Sequence, residues 1–115
     1  MAPKPPTETT RACLIWADET GTILYATGGA EDILGWTPNE LLGQPILAIV
    51  PVADREQHQA KFEETVRTGV SPAAGQRRAL AALGRDGIER PINLTLCALD
   101  ATPRLFIAVV ERRGL

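Results

Sequence analysis

Apolar and polar positions along this chain fall into two β-patterned blocks around a punctuated helical one. Ala12 to Ala17 (ACLIWA) and Thr22 to Ala26 (TILYA) are short apolar runs separated by Asp18-Glu19-Thr20-Gly21. Two such runs joined through a Gly-bearing loop predict a hairpin. Thr27-Gly28-Gly29 breaks the second strand, and Ala30 to Leu34 predicts a short helix closed by Gly35. Thr37, Pro38 and Glu40 then form a capping box with proline at the first helical position, and Gly43 ends that helix. Ile46 to Val50 predicts an apolar turn or short helix, stopped by Pro51. A longer helix runs from its cap Asp54 to about Arg67. His58, Phe62 and Val66 form one i, i+4, i+8 stripe on it, while Lys61, Glu63, Glu64 and Arg67 form the wet face. Thr68-Gly69 stops this helix, and Val70 to Ala74 is a connector.

Three strands complete the pattern. Gly75 to Leu83 leads through the turn Gly84-Arg85-Asp86-Gly87 into Glu89 to Ala98. In the latter, Ile92, Leu94 and Leu96 alternate with Asn93, Thr95 and Cys97. Asp100 to Pro103 is a turn, and Arg104 to Glu111 is apolar on both faces, as a central strand would be. The order β-β-α-α-α-α-β-β-β predicts an α+β fold, a five-stranded antiparallel sheet with short helices on one face. The expected alternation puts Cys13, Ile15, Leu105, Ile107 and Val109 on the other face. That set is too apolar for water and predicts a covering partner: a second copy, a flanking helix or an output domain. Leu14 and Trp16 would then share the core face, and Trp36 would be a partly exposed packing residue. The small residues Ala73, Ala74, Ala79, Ala81 and Ala82 predict room beside Ile92, Leu94, Leu96, Phe106 and Ala108, unless neighbouring side chains fill it.

Composition narrows the classes. The chain has 115 residues, 44% apolar and 23% charged, and a net charge of −2, so one ordinary globular domain is expected over 11–113. The Pro- and Thr-rich residues 1–10 read as a flexible arm. The balanced charge gives no electrostatic case for nucleic acid or an anionic membrane, and no apolar run approaches a membrane span. Cys13 and Cys97 lack metal or redox spacing and predict buried reduced thiols, hence a cytoplasmic compartment. Gly28-Gly29 lacks the strand-loop-helix context of a phosphate loop. With no nucleophile–base pairing and no metal-ligand spacing, an enzyme is not expected.

The pieces, in this order, resemble the PAS domain. They are Asp18-x-x-Gly21-x-Ile23, the ILGWTPNELLGQ block (Ile33 to Gln44) and the PxxDRExH segment (Pro51 to His58). Arg67-Thr68-Gly69, Gly84-Arg85-Asp86-Gly87 leading to Pro91, and the final LFIAVVERR also fit. The resemblance implies a signal-sensing or dimerisation module, usually attached to a histidine kinase, cyclic-dinucleotide enzyme or transcription regulator. A homodimer through the outer sheet face and an output domain beyond this chain are the expected partners. Ligand contacts are expected at His58, Phe62, Arg78, Ile92, Leu94, Leu96, Phe106 and Ala108.

Cofactor chemistry divides the family. Its flavin photosensors carry a cysteine motif where this chain reads Val52-Ala53-Asp54-Arg55, which argues against cysteinyl-flavin chemistry. The haem-binding members, such as the rhizobial oxygen-sensor kinases, place their iron ligand in the same Asp-Arg-x-x-His context, where His58 stands. Their distal arginine corresponds to Arg78, and their apolar distal wall to Ile92, Leu94 and Leu96. Their propionate-holding basic groups correspond to Glu64 and Pro72, a departure from the pattern. Three readings therefore stand side by side: a ligand-binding sensor, a haem-based gas sensor with His58 as iron ligand, and a ligand-free dimerisation scaffold in which His58 is a satisfied core residue.

Overall fold

The computed structural model describes residues 12–69, 75–99 and 103–113. The expected arm, the connector Val70 to Ala74 with two of the small residues, and most of the Asp100 to Pro103 turn lie outside the described residues. Five strands form one antiparallel sheet: β1 (Ala12–Asp18), β2 (Ile23–Ala26), β3 (Arg77–Leu83), β4 (Glu89–Leu99) and β5 (Leu105–Arg112). Their spatial order is β2-β1-β5-β4-β3, so β5 is central. Between β2 and β3 lie helices α1 (Gly29–Leu34), α2 (Pro38–Leu41) and α3 (Arg55–Thr68), with 3-10 turns at Ile46–Ile49 and Val52–Asp54.

Local chemistry sets these boundaries. Gly35 and Gly69 close α1 and α3 at φ 78° and 76°, a region in which a Cβ is strained. At α2 the expected capping box is present: Glu40 N–H donates to Thr37 Oγ1, and Thr37 N–H donates to Glu40 Oε1. Asp54 departs from expectation. It occupies the position before α3 but makes no side-chain cap, because the preceding 3-10 turn already places it in helical conformation at φ −101°, ψ −3°.

The core lies between the sheet and α1–α2. Ile15, Ile23, Leu34, Leu41 and Val110 are its fully buried large side chains. Burying each such side chain stabilises the fold by roughly 1.5–3 kcal/mol.

The strand register corrects the expected faces. Cys13 pairs with Val110 and Ile15 with Ala108, so all four point towards the helices; Cys13 and Ile15 are core residues, not outer-face ones. Leu14 and Trp16 pair with Val109 and Ile107 and hence lie on the outer face with Leu105. The error is one residue of phase in β1, which moves every side chain of a strand to the opposite face. The same logic corrects the alanine cluster. Ala79 and Ala81 lie opposite Asn93 and Pro91 and are exposed on the outer face, and of the described alanines of this cluster only Ala82 reaches the core. Both cysteines are free thiols, but Cys97 is exposed rather than buried.

Candidate functional site

The inner sheet face is built in cross-strand rows. One holds Cys13, Val110, Leu94 and Arg78; the next holds Ile15, Ala108 and Leu96. Phe106 lies opposite Ala17 and Ile92 opposite Leu80. The α1–α2 half of this face is sealed. The half near α3 is not: α3 has no buried residue over its whole length. Leu94, Leu96 and Phe106 are only half-buried, and Leu80 is 36% exposed. An amphipathic helix docked tightly on a core would bury its apolar stripe. Here apolar side chains of α3 and of β3–β4 are left only partly covered.

The eight pocket residues expected from the sequence all border this side of the sheet. Phe62 reaches down from α3 onto Phe106, with ring centroids 4.9 Å apart and planes inclined by 50°. One turn earlier His58 stacks on Phe62 at 6.4 Å and 12°. Ile92 and Ala108 are buried beneath, and Arg78 stands exposed at the rim. Arg77, its neighbour, points to the other face and pairs with Glu111 at 3.1 Å. The strand thus separates the two arginines, as alternation predicts.

His58 is the unusual member. Its Nδ1 is buried and has no hydrogen-bond partner among the described residues. Desolvation, and secondarily the charge of Lys61, pushes the imidazole pKa below its ordinary 6.5. The ring is therefore neutral at pH 7, with one nitrogen unmet among the described residues. Such an atom costs stability unless something pairs with it. Arg78 is likewise without a hydrogen bond or carboxylate partner among the described residues. A neutral imidazole, aromatic walls and a rim cation together can hold a flat or apolar group bearing an acceptor or a negative charge.

A haem fits this set in part. The neutral His58 would be the residue to hold the iron, which would supply gas binding, and Arg78 shares its row with Leu94. The Phe62–Phe106 contact, however, occupies the floor beside His58. A macrocycle seated there requires those rings to part.

The outer face carries a second feature, for which the sequence named Leu105, Ile107 and Val109 correctly and two members, Cys13 and Ile15, wrongly. Leu14, Trp16, Leu105, Ile107 and Val109 form a half-buried apolar band. Tyr25, 53% exposed, meets Trp16 edge-to-face at 5.9 Å. The swap of Leu14 and Trp16 for Cys13 and Ile15 keeps the band apolar.

Comparison with known proteins decides the family. A profile of the PAS fold matches residues 7–112, nearly the whole chain. The chain belongs to the PAS fold family. Solved PAS domains share its architecture: one from Colwellia psychrerythraea superposes with a TM-score of 0.73 at 15% identity, covering 93% of this chain and 92% of that one. A domain of a sensory box sensor histidine kinase/response regulator from Geobacter sulfurreducens gives a TM-score of 0.68 at 15% identity, covering 87% and 82%. Among curated relatives, the sensor protein FixL of Bradyrhizobium diazoefficiens is 28% identical over 83 residues, 72% of this chain and 16% of that protein. A probable serine/threonine-protein kinase of Dictyostelium discoideum is 26% identical over 101 residues, 87% of this chain and 7% of that protein. The chain thus spans a small part of each. It is a PAS sensor and signalling domain, with the expected fold. No helix among the described residues is long and apolar enough to cross a membrane.

Proposed function

We propose that this PAS domain senses a small ligand in a crevice between α3 and the inner face of β3–β4, and relays it to an output domain. The observation that carries the reading is the buried Nδ1 of His58, unpartnered among the described residues, on a helix that buries none of its residues. A ligand that supplies the missing partner and covers Phe62, Leu94 and Leu96 would favour one placement of α3 over another. That differential contact is all that a population shift requires. The output activity belongs to the protein of which this domain is a part, most naturally a kinase or transcription regulator in a cytoplasmic setting.

The outer band suits self-association. Two copies meeting through Leu14, Trp16, Leu105, Ile107 and Val109 would cover side chains that otherwise lie half-open to water.

A second reading is a haem-based gas sensor, favoured by the same neutral imidazole. His58 would hold the iron, and Arg78 would face the gas ligand. A visible absorption spectrum of protein expressed with haem precursor tests it. A Soret band abolished by His58→Ala supports haem; a colourless protein that stays colourless on adding haem eliminates it and leaves the organic-ligand reading intact.

For that first reading the test is a fluorescent probe, anilinonaphthalene sulfonate, whose apolar rings and single anion match the crevice and Arg78. Saturable one-to-one binding by the folded protein, weakened in Arg78→Glu, supports a ligand site. Indifference to the substitution, or no binding, removes it.

A further inference from the structure

We propose that the free edge of β3 takes up an extended, carboxylate-bearing segment of another polypeptide as a sixth strand of the sheet. β3 is the last strand on its side, and Arg77 to Ala81 are exposed along it. Its register with β4 runs from Arg77–Thr95 to Leu83–Glu89 without a bulge. The opposite edge of the sheet is guarded. β2 has four residues, and its pairing with β1 breaks register between Trp16 and Ala17. A loop takes up its far side: Ile23 N–H donates to the carbonyl of Gln44, and Gly43 N–H donates to the carbonyl of Ile23, both at 2.9 Å. β3 has seven residues, no proline and no such cover among the described residues. A flat edge of this kind is a template for strand addition.

The pairing identifies the groups on offer. The carbonyl of Pro91 accepts the N–H of Arg113, so Pro91 turns its main chain towards β5, and Arg90, Ile92 and Leu94 turn theirs towards β3. Arg78, Leu80 and Ala82, opposite Leu94, Ile92 and Arg90, therefore bond within the sheet. Arg77, Ala79 and Ala81 point their N–H and C=O groups at the free edge, where no main-chain partner meets them among the described residues. The side chains define what fits. On the inner face the edge presents Arg78, then the exposed Leu80; on the outer face the small, exposed Ala79 and Ala81 leave room for larger neighbours. Arg77 leans back across the sheet to Glu111, and Arg113 Nη2 donates to the Leu80 carbonyl, which faces β4, so neither covers the edge. Arg78 has no carboxylate partner among the described residues. A second copy paired through its own β3 supplies none, because that strand, RRALAAL, holds no acidic residue. A strand with a carboxylate opposite Arg78 and an apolar side chain opposite Leu80 supplies both missing neighbours, and such cross-strand pairs are what stabilise a sheet.

Backbone amide NMR of the full chain, titrated at constant ionic strength with the end-blocked peptide Val-Thr-Leu-Thr-Glu, tests the proposal. In an antiparallel sixth strand its Glu lies opposite Arg78 and its Leu opposite Leu80. Saturable shifts centred on residues 77–83, with slowed hydrogen exchange at the Ala79 and Ala81 amides, are expected. Arg78→Glu should weaken binding about five-fold. Replacing the peptide's Glu with Lys should restore binding to that variant and weaken binding to wild type, a reversal that a damaged fold does not mimic. Ala81→Pro removes an edge donor and leaves the ladder with β4 intact, so it should abolish binding. Shifts that never saturate, shifts centred under α3 or on the outer band, or a charge swap without effect overturn the proposal. So does protection of Ala79 and Ala81 that rises with protein concentration in the absence of peptide, which would place a second copy on the edge.

Discussion

His58 sets the chemistry of the crevice through what it lacks. Its folded pKa lies below 6.5, so at pH values beneath 6.5 the unfolded chain binds the proton first. Stability therefore rises with pH through this window and is lost as pH falls through the folded pKa. Denaturant unfolding at about pH 7.5 and about pH 5.5 should show the loss in wild type, and His58→Phe should shrink it. Equal pH dependence in the variant would mean that His58 is not the group responsible. The two thiols differ in the same physical terms. Burial raises the Cys13 thiol to about 12, while Cys97 is exposed. A thiol-specific reagent should label one cysteine in the folded protein, at Cys97, and both after denaturation. Rapid labelling of Cys13 in the native state would contradict the register of β1.

At the scale of elements, local signals were legible and phase was not. The capping box of Thr37, Pro38 and Glu40 and the glycine stops at Gly35 and Gly69 rest on neighbours in sequence, and each stands where its pattern predicts. Thr37→Ala should destabilise the domain by about 1 kcal/mol, read from the denaturation midpoint. An unchanged midpoint would show that the cap is not holding α2. β1 was misread because ACLIWA is apolar at both alternating positions, so its pattern carries no phase. Only pairing with β5 decides that Cys13 and Ile15 face inward. The alternation of β4, polar on one side, gave its phase correctly, and with it Ile92, Leu94 and Leu96. The openness beneath α3 left no sequence signal: the His58–Phe62–Val66 stripe predicts a docked face, but not how deeply it docks.

At the scale of the whole molecule, the proposed roles divide between the two faces of the sheet. The outer band of Leu14, Trp16, Leu105, Ile107 and Val109 is where a second copy would pair. Ile107→Arg should convert a dimer into a monomer by light scattering without lowering the denaturation midpoint of the monomer, since Ile107 lies outside the core cluster. A wild type that is monomeric at high concentration would leave the band to another partner. The inner face is the proposed sensing side, and that claim is the more basic one. The most direct measurement is anilinonaphthalene sulfonate fluorescence, with near-UV circular dichroism confirming that the protein stays folded, because loosened cores also bind this dye. The account predicts one saturable site, with affinity falling about ten-fold in Arg78→Glu while the dichroism is unchanged. No saturable binding, or equal binding by the variant, would contradict a ligand crevice between α3 and the sheet.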